Sequence, residues 1–241
     1  MRLGKQVISL RKTKKITLFI VEGITDEISL GLILSKIIEK DKLVRFKIIN
    51  GDITAKGGIT LSNIYVKITD YIKEFISRDI YKKSDILNVV HIVDTDGAFI
   101  TDDLIIQKKI ESIEYNTHCI YAKNVDYIKQ RNKQKSQILN KLSGTDIVYT
   151  NLPYHVYFFS SNLEHVMHNQ QSVSPFQKRK YAEDFVDKFI TNPSTFIDFI
   201  NDKEFALTGP YEDTWDFIKK DTNSLKRYTN FNLYINTIKA K

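Results

Sequence analysis

The sequence predicts an α/β fold: a mainly parallel β-sheet with helices on both faces, followed by a helical C-terminal region. Through residue 160, short apolar runs rich in β-branched residues alternate with longer segments of helical periodicity. Such alternation favours a parallel sheet, because each crossover helix packs on one face of it. From Leu163 onward the chain has helical character, with breaks at three prolines. We therefore expect one α/β domain over residues 1–160 and a helical region over residues 161–241.

Each element follows from its apolar spacing and its boundaries. The run KITLFIVE predicts a strand at 15–22, because it is apolar and β-branched and ends at a glycine. The segment 25–40 predicts a helix, with Thr25 as N-cap and apolar residues at helical spacing. The remaining elements are a strand at 44–50, a loop with adjacent glycines at 51–58, a helix at 59–80, strands at 86–97 and 117–122, a basic helix at 124–142 and an aromatic strand at 154–161.

Composition excludes several classes of protein. The chain has 241 residues, 42% of them hydrophobic, so it can bury a sizeable core. Cys119 is its one cysteine, which excludes an intrachain disulfide and a cysteine zinc site. No run approaches the ~18 apolar residues of a membrane span, and the basic N-terminus lacks the apolar core of a secretory signal. We expect a cytoplasmic protein that does not enter a membrane.

The net charge of +7 is unevenly distributed. Residues 160–241 are neutral overall, so the excess lies in residues 1–159, concentrated at 1–15 and 121–141. Two basic segments around an acidic centre suit a polyanion held near a metal site, whereas the alternative is solvated helix faces and a frayed terminus. The candidates for phosphate contacts with a nucleic acid are Arg11, Lys12, Lys14, Lys15, Lys123, Lys129, Arg131, Lys133 and Lys135.

Acidic residues follow two of the predicted strands. Glu22 ends the first strand, and Asp94 and Asp96 end the strand at 86–97. The carboxyl ends of parallel strands share one edge of a sheet, where ligands bind. Carboxylates are ligands that Mg²⁺ prefers, and Gly97 lets the backbone turn there. A polar turn that merely contains two aspartates is the alternative, and VVHIVDTDGAF also resembles the first motif of haloacid-dehalogenase-type phosphatases, in which the first aspartate is the nucleophile.

The pair EGITDE and HIVDTDG resembles the Toprim domain family over residues 15–123. In that family a strand ending in Glu-Gly precedes a helix, and a later strand ends in Asp-x-Asp. VEGITDEISLGLIL is most similar to the OLD-like, defence-associated branch. The resemblance implies a catalytic Glu22 with Asp94 and Asp96 as ligands of one or two Mg²⁺ ions, for which Mn²⁺ can substitute.

The same resemblance makes Asp26 and Glu27 supporting metal ligands. Their alternative role is favourable charge in the first turn of a helix. A second stretch, FSSNLEHVMHN, is similar to a segment of RloB-like and DUF4435-type Toprim proteins. It places Glu164 and His168 four residues apart on one helix face, as an additional ligand and proton carrier or as an ordinary capped helix.

The resemblance implies a metal-dependent nuclease that hydrolyses phosphodiester bonds in RNA or DNA, acting as an effector in anti-phage defence. An ABC-type ATPase partner is implied by analogy with two-gene systems such as PARIS, since this chain has no Walker A loop. A non-catalytic Toprim scaffold is the rival interpretation. Composition leaves open whether the helical region after residue 163 is a homodimer interface, a partner dock or a substrate lid.

Overall fold

The computed structural model describes residues 14–38, 42–78 and 81–239, and its centre is a six-stranded β-sheet. Its strand order is β2-β1-β3-β8-β7, with β9 also paired to β8. The strands are β1 (Lys15–Val21), β2 (Lys42–Ile48), β3 (Ile86–Asp94), β7 (Ile147–Val148), β8 (Leu152–Ser160) and β9 (Tyr228–Thr229).

The four long strands of this sheet are parallel, as predicted. β1 pairs in parallel with both β2 and β3, and β3 pairs in parallel with β8. The short strands β7 and β9 run antiparallel to β8. All four parallel strands therefore end at one edge of the sheet, which we call the carboxyl edge, and begin at the opposite amino edge.

Helices cover both faces, so the predicted α/β class is confirmed. The described helices are α1 (Ile24–Ile37), α2 (Ile64–Arg78), α3 (Val125–Ser143), α4 (Leu163–His168), α5 (Pro175–Ile190), α6 (Pro193–Ile200), α7 (Tyr211–Ile218) and α8 (Phe231–Lys239). Alternate residues of β1 enter different cores: Leu18 packs with α2, α3 and α7, whereas Phe19 packs with α1, α5, α6 and α8. This alternation is the period-two geometry of a strand buried on both faces.

The region after residue 161 shares its hydrophobic core with the sheet. Phe185 and Phe196 of α5 and α6 belong to the same buried cluster as Phe19 of β1 and Leu30 of α1. The region is mainly helical, but it also contributes the strand β9, which extends the sheet beside the end of β8. The carboxyl edge is therefore completed by chain segments from both ends of the sequence.

The predicted strand at 117–122 does not join the central sheet. Its residues Ile120–Ala122 form β6, the middle strand of a separate three-stranded sheet with β4 (Ile105–Gln107) and β5 (Glu114–Tyr115). This small sheet encloses a core of its own, in which Ile120 packs with Ile128 of α3. Within the described ranges, no helix is long and apolar enough to cross a membrane.

Candidate functional site

Carboxylates gather at the carboxyl edge because each long strand is followed by an acid. Glu22 follows β1, Asp52 lies in the loop after β2, Asp94 is the last residue of β3, and Glu164 lies in the helix that follows β8. These residues are far apart in sequence, and only the parallel order of the strands brings them to one edge. We call this group, together with Asp26 and Asp96, the acidic cluster.

Glu22 and Asp94 are in direct contact. The Asp94 backbone N–H donates to Glu22 Oε1 over 3.4 Å, and the Leu163 N–H donates to Asp94 Oδ1 over 3.0 Å. Burial raises the pKa of Glu22, and the negative charge of Asp52 raises it further. Burial, followed by the neighbouring Glu22 charge, likewise raises the pKa of Asp94 well above its usual range. These two carboxyls therefore resist ionisation unless a cation is close.

A buried lysine neutralises the other side of the cluster. The Lys135 ammonium is fully buried and donates to Asp52 Oδ2 and Asp96 Oδ2, each over 2.6 Å. Burial by itself would lower the pKa of Lys135, but Asp52 and Asp96 outweigh it and raise the pKa. For the same reason, Lys135 lowers the pKa of Asp52 despite its burial. Lys135 thus links α3 to the loops that follow β2 and β3.

The backbone turn after β3 needs glycine at its last position. Asp96 and Gly97 have φ values of 48° and 67°, in the left-handed region. The Asp96 N–H donates to Ser161 O over 2.8 Å, and the Gly97 N–H donates to Ser224 O over 3.1 Å. A Cβ atom on Gly97 would lie 2.4 Å from Leu225 Cδ2. The DTDG sequence therefore forms a tight turn that aims Asp96 at Lys135.

Asp26 belongs to the cluster, and Glu27 does not. The half-buried Asp26 accepts a 2.9 Å hydrogen bond from the Gly23 N–H through Oδ2. Burial raises its pKa from 3.8 to about 6, and the charge of Glu164 adds to the shift. The pKa of Glu27 is raised by burial alone, with no contribution from the other acids. Of the two predicted supporting ligands, the structure places only Asp26 with Glu22 and Asp94.

Glu164 and His168 make different contacts, although the charge of Glu164 still acts on the His168 imidazole. The side chain of Glu164 is buried and forms an ion pair with Lys178 Nζ at 3.1 Å, close enough to the cluster to affect the pKa of Asp94. His168 instead stacks on Tyr181, with ring centroids 4.8 Å apart. Glu164 therefore joins the acidic cluster, whereas the His168 ring is held among the aromatic side chains of α5.

An open cleft of about 480 Å³ gives access to the cluster. Asp94, Asp96 and Glu164 line it together with Lys178. Its other walls come from Tyr115 of the small sheet and from the loop at residues 171–174. A small anion or an extended chain can therefore reach the carboxylates from solvent.

The predicted basic helix at 124–142 is confirmed as α3, but its cations differ in exposure and in their partners. Lys123 and Lys133 are exposed and Lys129 is partly exposed, so all three are accessible to a phosphate. Arg131 is half-buried and donates to Tyr115 Oη over 2.7 Å and to the Asp96 carbonyl over 2.9 Å. Lys135 is fully buried between carboxylates, so in this structure it cannot make the phosphate contact that the charge pattern predicted.

Lys14 and Lys15, two of the predicted N-terminal cations, lie at the opposite edge of the sheet from the acidic cluster. Lys14 and Lys15 stand at the start of β1, and Lys15 Nζ donates to Ser84 O over 2.6 Å. β1 has seven residues, and a strand rises ~3.3 Å per residue, so these lysines are roughly 20 Å from the carboxyl edge. Arg11 and Lys12 lie outside the described residues.

Sequence reasoning missed Asp52 and Lys178. Asp52 had a detectable signal, because it follows the predicted strand at 44–50 just as Glu22 follows the first strand. Lys178 begins the basic triplet KRK, but nothing local indicates that it reaches Glu164 from another helix. Contacts of this kind depend on how α5 packs against α4.

The acidic cluster supplies metal-binding oxygens without a preformed three-ligand site. In the part of the chain that the structure describes, no group of three His, Cys, Asp or Glu side chains is arranged to hold a metal ion. The reason is that Asp96 is bonded to Lys135, Glu164 to Lys178 and Asp26 to a backbone amide. Glu22 and Asp94 fit a hard cation best, because they are adjacent oxygen donors whose pKa values are raised first by burial and then by the charges of neighbouring acids.

We predict that Lys135→Met destabilises the protein by about 3–5 kcal/mol, because it leaves two half-buried carboxylates without their cation. Lys133→Met is the matched control: it lies on the same helix but is exposed, and a change within about 0.5 kcal/mol is expected. Urea unfolding measures both values. Adding Asp52→Asn to Lys135→Met should recover part of the loss. Equal stability of the two lysine variants would contradict this account of Lys135.

We predict that Asp26→Asn stabilises the chelator-treated protein at pH 7. A pKa raised from 3.8 to about 6 means that the folded state holds a proton more tightly than the unfolded state. The free energy of unfolding therefore falls as the pH rises from about 4 to 6, and it stays lowered above that range. Asparagine keeps an oxygen acceptor for the Gly23 N–H but carries no charge.

Melting curves at pH 4 and pH 7 test this prediction. The Tm of Asp26→Asn should exceed that of the wild type by about 2–4 °C at pH 7 and match it at pH 4. Asp187→Asn, an exposed aspartate on α5, serves as the control and should change Tm little at either pH. A Tm of Asp26→Asn below that of the wild type at pH 7 would show that the charge of Asp26 stabilises the fold.

Comparison of this chain with protein-family models, with curated proteins and with solved structures found no match. The chemistry of the acidic cluster and its cleft is therefore the basis for inferring what the protein does.

Proposed function

We propose that this protein is a Mg²⁺-dependent nuclease of the Toprim type, which hydrolyses phosphodiester bonds in RNA or DNA. The observation that carries the proposal is the convergence of carboxylates from four strand ends at one edge of the sheet, where Asp94, Asp96 and Glu164 line an open cleft. A purely structural domain gains nothing from acids whose pKa values are raised by burial and further by their mutual repulsion. The EGITDE and HIVDTDG motifs, which carry the Toprim resemblance, supply Glu22, Asp94 and Asp96 of this cluster.

Glu22 is the proposed general base and acid. Burial and neighbouring charge raise the pKa of Glu22, which makes its carboxylate a stronger base than that of an ordinary glutamate. Glu22 would take a proton from the attacking water and return one to the leaving oxygen. Its contact with the Asp94 N–H keeps the carboxylate directed toward the cluster.

The cofactor would be held by Glu22 and Asp94. When bound, Mg²⁺ supplies positive charge opposite the phosphate oxygens and makes water more acidic. Asp94 is oriented for this role by the Leu163 N–H, and Asp96 is held by Lys135. Lys178 lines the cleft with a partly exposed ammonium, which can bind a substrate phosphate.

A groove next to the turn after β3 supports the choice of a nucleic acid as substrate. The groove is lined by Phe99, which closely follows the Asp96–Gly97 turn, and by Lys129 and Lys133 of α3. Accessible lysines next to an acidic centre can hold the phosphates that flank a scissile bond. A role as a defence effector under a partner ATPase is part of this proposal and rests on the Toprim resemblance.

We predict that Glu22→Gln lowers Mg²⁺-dependent cleavage of RNA or DNA by at least about 10²-fold, because it removes the proton-transfer group. The measurement is a gel assay with radiolabelled RNA, single-stranded DNA and duplex DNA. Glu212→Gln, an exposed glutamate of α7, should retain full activity.

Two further measurements separate the rival functions. Mg²⁺ should raise the Tm of the wild type more than that of Glu22→Gln, because the variant lacks one of the two proposed ligands. A chromogenic phosphate monoester should remain intact, since its hydrolysis would favour the phosphatase interpretation.

Cleavage by Glu22→Gln at the wild-type rate would refute the assignment of Glu22 as the proton-transfer group. Absence of both cleavage and Mg²⁺ stabilisation would favour a non-catalytic scaffold.

We predict that the double variant Lys129→Ala/Lys133→Ala binds nucleic acid more weakly and with a flatter salt dependence. Each lost phosphate contact lowers the slope of log K against log[salt] by about 0.7–0.9, so two contacts lower it by about 1.5. Lys14→Ala/Lys15→Ala is the control, because these lysines lie at the amino edge. An unchanged slope in the first variant would remove α3 from the binding surface.

A further inference from the structure

The most exposed large apolar side chain in the described residues lies in a segment whose neighbouring residues line the acidic cleft. Phe176, in the first turn of α5, is 86% exposed. Residues 172–174, which precede it, and Lys178, which follows it, all line the cleft. Single exposed apolar residues are common on protein surfaces, but this one lies in the segment that forms a wall of the proposed catalytic site.

Cations follow this phenyl ring along α5. Lys178, Arg179 and Lys180 come after Gln177, and Arg179 and Lys180 are three and four residues from Phe176, on the same side of the helix. Arg179 is 74% exposed and pairs only with Glu183 of the same helix at 2.9 Å, while Lys180 is exposed. We call residues 172–180 the α5 rim. The overall charge of residues 160–241 is zero and does not reveal this basic segment. The acids that balance its cations lie in the same region but outside residues 172–180.

An exposed aromatic ring next to accessible cations has the chemistry of a single-strand binding surface. An unpaired base can stack on the ring, and the cations can follow the adjacent phosphates. In a duplex both faces of each base are covered by its neighbours, so a ring at the surface gains little from double-stranded nucleic acid. A surface of this kind discriminates between the two forms by the accessibility of base faces.

We propose that the α5 rim binds single-stranded nucleic acid, with a base stacked on Phe176 and the following phosphate directed toward the acidic cleft. This inference deepens the proposed function by naming the form of its substrate, and it rests on that function. The rim attracts the chain through its cations, and the stacked base holds the strand beside a cluster of carboxylates that would otherwise repel it.

Substitutions at Phe176 separate stacking from general apolar contact. Phe176→Trp keeps a stacking surface, Phe176→Leu keeps an apolar side chain without a π face, and Phe176→Ala removes both. Ile147→Ala is the matched control, since Ile147 is 60% exposed and lies on β7, beside the start of β8 at the amino edge. All variants are full-length chains, and the site of substitution is exposed, so folding is expected to be preserved.

The experiment measures binding by fluorescence anisotropy in EDTA, where metal-dependent cleavage cannot occur. The probes are a 15-nucleotide oligo(dT), an oligo(U) of equal length and a 15-base-pair DNA duplex. We expect Phe176→Ala and Phe176→Leu to lose about tenfold or more in affinity for single strands, within the range of one base–aromatic stack. Phe176→Trp and Ile147→Ala should bind like the wild type, and duplex binding should change little.

A second readout uses tryptophan fluorescence. Trp215 is buried, so the added indole of Phe176→Trp reports on the rim, and oligonucleotide binding should quench it. Single-strand affinity of Phe176→Ala equal to that of Ile147→Ala would overturn the proposal, as would full binding by Phe176→Leu, which would indicate a generic apolar contact. Single-strand binding that depends on Phe176 without any cleavage in Mg²⁺ would refute the nuclease but not the binding surface.

Discussion

A fully buried ammonium is the constraint on which the rest of the site depends. Lys135 Nζ lies 2.6 Å from Oδ2 of Asp52 and 2.6 Å from Oδ2 of Asp96, and none of its side chain reaches solvent. An unpaired charge in such a place is strongly destabilising, so α3 and the loops after β2 and β3 must be positioned together. The ion pair thereby sets the geometry of one half of the acidic cluster.

The other half of the cluster is left without a comparable cation. Glu22 and Asp94 are bonded to backbone amides, and their pKa values are raised by burial and by the surrounding acids. Such an arrangement costs stability in the absence of a cation and creates affinity for one. One half of this edge is therefore held together by an ion pair, whereas the other half has no cation of comparable proximity among the described residues.

The distribution of accessible cations defines the surface that a polyanion would meet. Lys129 and Lys133 stand on one side of the acidic turn, and the α5 rim stands on the cleft wall formed by the segment after β8. The amino-edge lysines are remote from both, because β1 separates them by its full length. The net charge of a segment therefore does not predict which of its cations are accessible. The C-terminal region is neutral overall but carries a basic rim, and Lys135 of the basic helix is buried.

The sequence by itself determined the α/β class, the parallel sheet, and the positions of Glu22 and of Asp94 and Asp96 at strand ends. These follow from local periodicity and from glycine positions, which depend on short stretches of chain. Only the tertiary structure decided that Lys135 neutralises Asp52 and Asp96, that Glu164 but not His168 joins the acids, and that residues 120–122 form a separate small sheet. Lys135 and Asp52, for example, are 83 positions apart. Which residues meet over such distances depends on how the helices pack on the sheet, and local sequence patterns do not predict that packing.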